Sequence, residues 1–146
     1  MEINSSKTLQ CVVVTPEKAV LDTTVDFVSL PMFDGELGVL PGRAPLVGRL
    51  GPGELRTQRS GQVQRYFVDG GIAQVRADVV TVLTPKAQKA EEIRIDTATH
   101  ALEAAHGAAH TPEAQEAQRK AQDRARAQLR IASKVQEGGH AISSHS

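Results

Sequence analysis

The sequence predicts an all-β N-terminal sandwich followed by a C-terminal antiparallel α-helical hairpin. Short β-branched or aromatic runs recur through the first 86 residues, each bounded by Gly, Pro, Asp or Ser. All four aromatics (Phe27, Phe33, Tyr66, Phe67) lie in that stretch. Beyond Pro85 the texture changes: Ala supplies 14 of the 51 residues from Ala87 to Glu137, and apolar positions recur at steps of three and four. The expected organisation is therefore a β-sandwich domain over residues 1–86, a helical hairpin over 87–137 and a disordered tail over 138–146.

Strands are expected at residues 8–15, 24–30, 63–68 and 79–83, between breaks at Pro16, Pro31, Asp34-Gly35, Pro41-Gly42, Gly51-Pro52-Gly53 and Asp69-Gly70-Gly71. Two local hairpins follow. Residues 55–58 and 63–68 flank Ser60-Gly61, and residues 72–76 and 79–83 flank Ala77-Asp78. In the last run Val79, Val80, Val82 and Leu83 place apolar groups on both faces, which calls for a cover on each side. A helix of the same chain is the plainer cover for the second face, and a partner protein the sharper one.

In the helical half, Asp96 is the expected cap of a first helix whose Ala98, Ala101, Leu102 and Ala105 share a face until Gly107. Thr111-Pro112 then supplies a cap followed by proline at the first helical position, with Glu113 and Glu116 near the positive end. The second helix is expected to stop at Gly138-Gly139. Its seam reads Ala114, Ala117, Ala121, Ala125, Leu129, Ala132 and Val135. Alanine methyls bury little area, so such a hairpin is marginal by itself and able to rearrange.

Composition removes several function classes. Seventeen Lys and Arg balance 17 Asp and Glu, so no general field attracts nucleic acid or an anionic membrane. With no Trp and few aromatics, there is no base-stacking platform. No apolar run approaches the roughly 18 to 20 residues of a membrane-spanning helix. Residues 1–10 carry Glu2 and Lys7 without an apolar stretch, and Cys11 is the single cysteine; both features predict a cytosolic chain.

Catalytic chemistry is thinly represented. Asp34 and Glu36 could form a carboxylate pair, but acids in a Gly-rich turn usually just solvate it. All five histidines lie beyond residue 99, leaving none in the β half to act as a base. His106 and His110 have helical metal-pair spacing, yet Gly107 interrupts the helix and further ligands are missing from the pattern; surface histidines are expected. The charge feature is the second helix, where Arg119, Lys120, Arg124, Arg126, Arg130 and Lys134 face one acid, Asp123. A solvated face is the default for such a run, and an acidic partner surface the functional alternative.

The run Asp34-Gly35-Glu36-Leu37-Gly38-Val39-Leu40-Pro41-Gly42-Arg43-Ala44-Pro45-Leu46 resembles the signature of the epsilon subunit of F-type ATP synthases, G-E-L-G-hydrophobic-x-P-G-H-A-P. Family-like segments follow in order: Gly51-Pro52-Gly53-Glu54-Leu55-Arg56, then Phe67-Val68-Asp69-Gly70-Gly71-Ile72-Ala73-Gln74-Val75, then Val79-Val80-Thr81-Val82-Leu83, and Ala127-Gln128-Leu129-Arg130 in the helical part. The resemblance implies the same sandwich and hairpin. It also implies a noncatalytic central-stalk rotor subunit, with no cofactor or metal, that couples ion-driven rotation of the c ring to ATP synthesis. Its implied partners are the gamma subunit, the ring of c subunits and the alpha/beta catalytic head, with no nucleic acid, and it meets the membrane only through the complex, at the cytoplasmic face of the inner (plasma) membrane.

The implied c-ring contact is Asp34, Glu36 and Arg43; gamma-contact residues are not assigned. The basic residues of the second helix, Arg119 to Lys134 as named above, are the implied contact with the head, through which the hairpin restrains hydrolysis. Two positions depart from the family. Arg43 replaces the usual His by a permanent cation. In the nucleotide motif I/L-D-x-x-R-A only Ile95 and Asp96 match, while Thr99 and His100 stand at the Arg and Ala positions. Weak or absent ATP binding is therefore expected, since Thr cannot supply the charge-assisted phosphate contacts of a guanidinium. The competing readings are a free-standing β-sandwich adaptor whose basic helix binds another acidic protein, and an enzyme using Asp34 and Glu36.

Overall fold

The computed structural model describes the backbone of residues 7–145 and side chains from 7 to 135. It divides into two compact units, Met1–Ala87 and Gln88–Ser146.

The first unit is built from β1 (Leu9–Val14), β2 (Ala19–Val25), β3 (Phe27–Met32), β4 (Gly35–Val39), β5 (Leu46–Arg59), β6 (Gln62–Arg76) and β7 (Val79–Leu83); β8 (Ala87–Lys89) begins where this unit ends. The strands follow the order β2-β1-β7-β6-β5-β3-β4, with β1 and β7 parallel. One apolar cluster unites Leu9, Cys11 and Val13 of β1 with Val28 and Leu30 of β3 and Val39 of β4, from opposite ends of that order. A sheet whose two ends share a core has folded over into two layers. The alternation of β1, buried at Leu9, Cys11 and Val13 and half-buried between them, is the period-two pattern that such a layer requires. Burial pushes the Cys11 thiol up to about 12, with a smaller push from the Asp22 charge, which leaves it a small apolar core residue.

The fold-over is made by β5 and β6, which pair along their whole length. Leu50 opposes Gly71 and Pro52 opposes Asp69, so Gly51-Pro52-Gly53 and Gly70-Gly71 bend both strands at one level. Gly71 has φ +112, and a Cβ there would strike the Leu83 carbonyl oxygen, so only glycine fits. The sequence marks these glycines as turns; they are bends inside continuous strands, because the partner strand bends with them and the ladder persists. The expected single strand over residues 24–30 is also corrected. It breaks at Asp26, whose amide donates to Gln58 O (2.7 Å) and whose carboxylate accepts the Ser60 amide (2.7 Å).

Both local hairpins form at the expected turns. Ser60 and Gly61 have φ 53 and 82, and Ala77 and Asp78 have φ 52 and 64, the paired left-handed residues of a type I′ turn. In β7, Val80 and Val82 are fully buried while Val79 and Leu83 are 38% and 52% exposed, so one face of the strand enters the sandwich core and the other carries apolar groups at its surface. Ile72, paired with Leu83, and Val47 add to this exposed apolar face.

The second unit holds a one-turn 3-10 helix (Ala90–Glu92), α1 (Ile95–Ala104) and α2 (Pro112–His145). Arg94, not Asp96, occupies the N-cap of α1. Asp96 lies inside the first turn, where its Oδ1 accepts the Thr97 amide at 2.8 Å and a carboxylate meets the positive helix end. Ala98 and Ala105 are buried and Leu102 is half-buried, but Ala101 faces solvent. Thr111 caps α2 as its sequence signal requires, with Oγ1 accepting the Ala114 amide at 3.0 Å.

The seam of α2 differs from expectation. Ala125 and Ala132 are buried, with Ala121, Leu129 and Val135 half-buried, whereas Ala114 and Ala117 are exposed. In their place three glutamines hold the first turns of α2 to the connection after α1. Gln122 Nε2 donates to Ala105 O (2.8 Å), Gln118 to Gly107 O, and Gln115 to Ala109 O (3.4 Å). Ala127 and Ile131, absent from the predicted seam, are buried, and α2 packs on the 3-10 turn as well as on α1. Its backbone stays helical through Gly138-Gly139, where the stop and the tail were expected, to His145; Ser146 lies outside the described residues. A glycine costs a helix about 1 kcal/mol relative to alanine without removing a hydrogen bond, so a pair need not end it.

Candidate functional site

Each residue of Gly35-Glu36-Leu37-Gly38 has a distinct physical task. Gly35 follows the Phe33-Asp34 turn with φ +137, a conformation closed to side chains. Leu37 packs against the sandwich core. Gly38 lies under the Phe27 ring, whose Cε1 would be 3.0 Å from an added Cβ. That flat contact lets Phe27 lie across the strand, and the Arg56 guanidinium sits over its ring at 6.0 Å.

Glu36 is the chemical group of this strand. Its side chain is 60% exposed, yet Ser29 Oγ on β3 donates to Oε2, and Arg56 Nη1 on β5 lies 3.3 Å from the same oxygen. The charge pattern continues across the layer: Arg56 is 3.8 Å from Glu54, and Arg65 of β6 is 2.7 Å from Glu54. The Ser29 hydrogen bond does most to hold the Glu36 carboxyl below its usual range; partial burial opposes it, and the Arg56 charge adds to it. An open cleft of about 600 Å³ adjoins, lined by the turn, Glu36, Leu37 and the start of β5 from Val47 to Arg49. On its rim Phe33 is 69% exposed, with the Arg49 guanidinium 4.7 Å from its ring centroid.

Asp34 and Glu36 thus share one end of β4, and both are exposed. Arg43 does not join them. It lies beyond the other end of β4, in a turn closed by its own amide on Leu40 O (3.3 Å). The Gly42 amide there donates to Asp78 Oδ1 at 2.8 Å, tying this turn to the β6–β7 turn. Sequence reasoning missed Ser29 and Arg56. Their signals were a hydroxyl between Val28 and Leu30, and the alternation of Glu54 and Arg56 on one face.

In the second unit, Arg119, Arg126 and Arg130, at steps of seven and four residues, form one exposed stripe on α2, with Arg119 paired to Glu116. Lys120 and Lys134 are exposed nearby, and Arg124 is half-buried. Ile95 is 38% exposed. Asp96 is held below its usual range by the Thr97 amide and then by Arg94, at 3.5 Å. Thr99 turns its hydroxyl back to Ile95 O at 2.8 Å. His106 and His110 are exposed, and no group of three or more potential metal ligands occurs among the described residues.

Residues 8–90 match the family model described as ATP synthase, Delta/Epsilon chain, beta-sandwich domain. A protein named ATP synthase epsilon chain from Rhodopirellula baltica is 54% identical over 123 residues, which cover 84% of this chain and 96% of that one. The chain belongs to the ATP synthase epsilon family. A second epsilon chain, from Nitratidesulfovibrio vulgaris, is 43% identical over 99 residues, 68% of this chain and 74% of that one. The fold of this family member also resembles chains in two solved assemblies. One is the Euglena gracilis mitochondrial ATP synthase OSCP/F1/c-ring structure (TM-score 0.67, 24% identity, 90% of this chain and 81% of that one). The other is the Tetrahymena thermophila mitochondrial ATP synthase central stalk/c-ring (TM-score 0.68, 15% identity, 85% and 96%). No helix among the described residues is long and apolar enough to cross a membrane.

Proposed function

We propose that this epsilon-family chain is a noncatalytic rotor subunit of a proton-translocating ATP synthase, held peripherally at the cytoplasmic face of the inner (plasma) membrane. The observation that carries the reading is the match to an ATP synthase epsilon chain over nearly that protein's full length. The β3–β4 turn with Asp34 and Glu36 meets the c ring, and Arg43 offers a second, separately anchored contact. The exposed apolar face of Val47, Ile72, Val79 and Leu83 suits the gamma subunit, because a patch of this kind on a sandwich calls for a protein cover. The stripe of Arg119, Arg126 and Arg130, with Lys120, Arg124 and Lys134 beside it, suits acidic residues of the alpha/beta head, where the opened hairpin restrains hydrolysis. With Thr99 in place of Arg, Ile95 and Asp96 form no ATP site.

Affinity capture of the chain from detergent-extracted membranes should recover an ATP-hydrolysing complex; recovery of the chain alone overturns the assignment. Deleting residues from Thr111 onward should raise hydrolysis by the complex. Changing Arg119, Arg126 and Arg130 together to Ala should reproduce much of that rise. Release by the deletion but not by the triple substitution would make the restraint steric rather than electrostatic.

A further inference from the structure

Glu36 reaches solvent from an edge strand, where a side chain with three rotatable bonds would ordinarily sample many orientations. It does not stand alone here. Both of its contacts, from Ser29 Oγ and Arg56 Nη1, fall on Oε2, and among the described residues Oε1 accepts nothing. Ser29 is 1% exposed and fixed in the middle of β3, opposite Gly38. Arg56 is backed by the Phe27 ring and by Glu54, which is itself bound to Arg65 at 2.7 Å. The two groups that touch the carboxylate are therefore themselves held, one by burial and one by a chain of charges across three strands.

We propose that Ser29 and Arg56 are positioning residues for Glu36: they clamp Oε2 and leave Oε1 offered, in one direction, to a hydrogen-bond donor on a polar loop of the partner that enters the adjoining cleft. The assignment rests on the reading that the β3–β4 turn docks on the c ring. A carboxylate ordered before binding loses less freedom when the partner arrives, and one whose second oxygen is occupied accepts from fewer directions. Ser29 and Arg56 thus act on affinity and geometry without touching the partner. The arrangement also explains Gly38. A side chain there would displace Phe27, and with it the support beneath Arg56.

The test has two arms on the full chain. Carbon-13 NMR of the Glu36 carboxyl follows its titration and side-chain couplings in wild type, Ser29→Ala, Ser29→Thr and Arg56→Gln. Other charges facing Glu36 are Arg56 and Glu54 from β5 and Asp34 from its own turn, and Arg56→Gln removes the nearest. Ser29→Ala should raise the Glu36 midpoint toward the ordinary carboxylate value and average its couplings, Ser29→Thr should restore both, and Arg56→Gln should shift them less. Unchanged midpoint and couplings in both Ser29→Ala and Arg56→Gln would overturn the proposal, and the half-buried Arg56 site keeps it testable should Ser29→Ala unfold. In the second arm the same variants rebind ATP synthase stripped of this subunit, with Glu36→Gln as reference. Several-fold weaker rebinding of Ser29→Ala and Arg56→Gln, measured well below the unfolding midpoint of each variant, is the expected result. If Glu36→Gln rebinds as wild type, the docking reading fails while the NMR arm still decides the clamp. If Glu36→Gln weakens rebinding and the clamp variants do not, the docking reading stands and the positioning role is wrong.

Discussion

The two units solve the same problem with different materials. The sandwich buries Leu9, Leu30, Leu55, Val28, Val68 and their neighbours in one cluster, whereas the buried set of the helical unit is mostly Ala98, Ala105, Ala125, Ala127 and Ala132, with Ile93 and Ile131 the larger members. Each buried methylene contributes about 0.8 kcal/mol, so every Leu-for-Ala exchange between such cores is worth about 2 kcal/mol or more. The helical unit compensates with polar contacts, the glutamine zipper on residues 105–109 and Gln128 donating to Gln88 Oε1 at 2.9 Å. Hydrogen bonds of this kind, half exposed to water, net about 1 kcal/mol or less each. A unit held by many weak polar contacts can exchange them for others at little cost; a dry core of branched side chains cannot.

Gly71→Ala should break the sandwich most severely. The new Cβ meets backbone at Leu83 and Thr84 at φ +112, so a loss of more than about 3 kcal/mol is expected in urea denaturation. Gly61→Ala, with φ +82 but open space around it, should lose only about 1 kcal/mol. Next, Leu30→Ala or Leu55→Ala should remove about 2 to 5 kcal/mol from the sandwich. A truncation after Ala87 should nevertheless keep a cooperative unfolding transition; a dye-binding, molten product would show that the contrast between the units is overdrawn. Smaller still, Gln118→Ala with Gln122→Ala should cost the helical unit about 1 kcal/mol, part of it offset by the better helix propensity of alanine. Hydrogen exchange should quicken at amides of residues 98–122 and stay unchanged in the sandwich.

The smallest effect is a pH dependence. The folded Glu36 carboxyl titrates below its unfolded value, near 4.3 for a free Glu, so its contribution is full above that value and is lost as pH falls through the folded one. The stability gap between wild type and Ser29→Ala should therefore be wider at neutral pH than in acid. A gap that widens on acidification would mean that Ser29 acts through packing rather than through the carboxylate.

What the sequence made legible was local. Ser60-Gly61, Ala77-Asp78 and Thr111-Pro112 carry their conformations in two residues each, and all three form as expected. The break at Asp26 was hidden because it is imposed by Gln58 and Ser60, more than thirty positions away. The same holds for the clamp on Glu36, whose parts come from β3, β4 and β5; the signature located the acid and gave no sign of what grips it. In α2 the alanine periodicity was real but incomplete. Periodicity finds methyl groups, and the first turns are held by amides, which look like an ordinary solvated face until the opposing carbonyls are placed.

The paired bend of β5 and β6 has a mechanical consequence. Because each strand passes uncut from one layer into the other, a stress entering at the β3–β4 turn reaches the far layer through covalent chain and through a ladder that runs the length of both strands. A ladder pulled along its strands is loaded in shear, so its hydrogen bonds share the strain and would have to fail together. One pulled at its end peels, bond after bond, at far lower force. Two sheets joined only by loops would slide on their greasy interface; this one is hinged in a place where nothing needs to give.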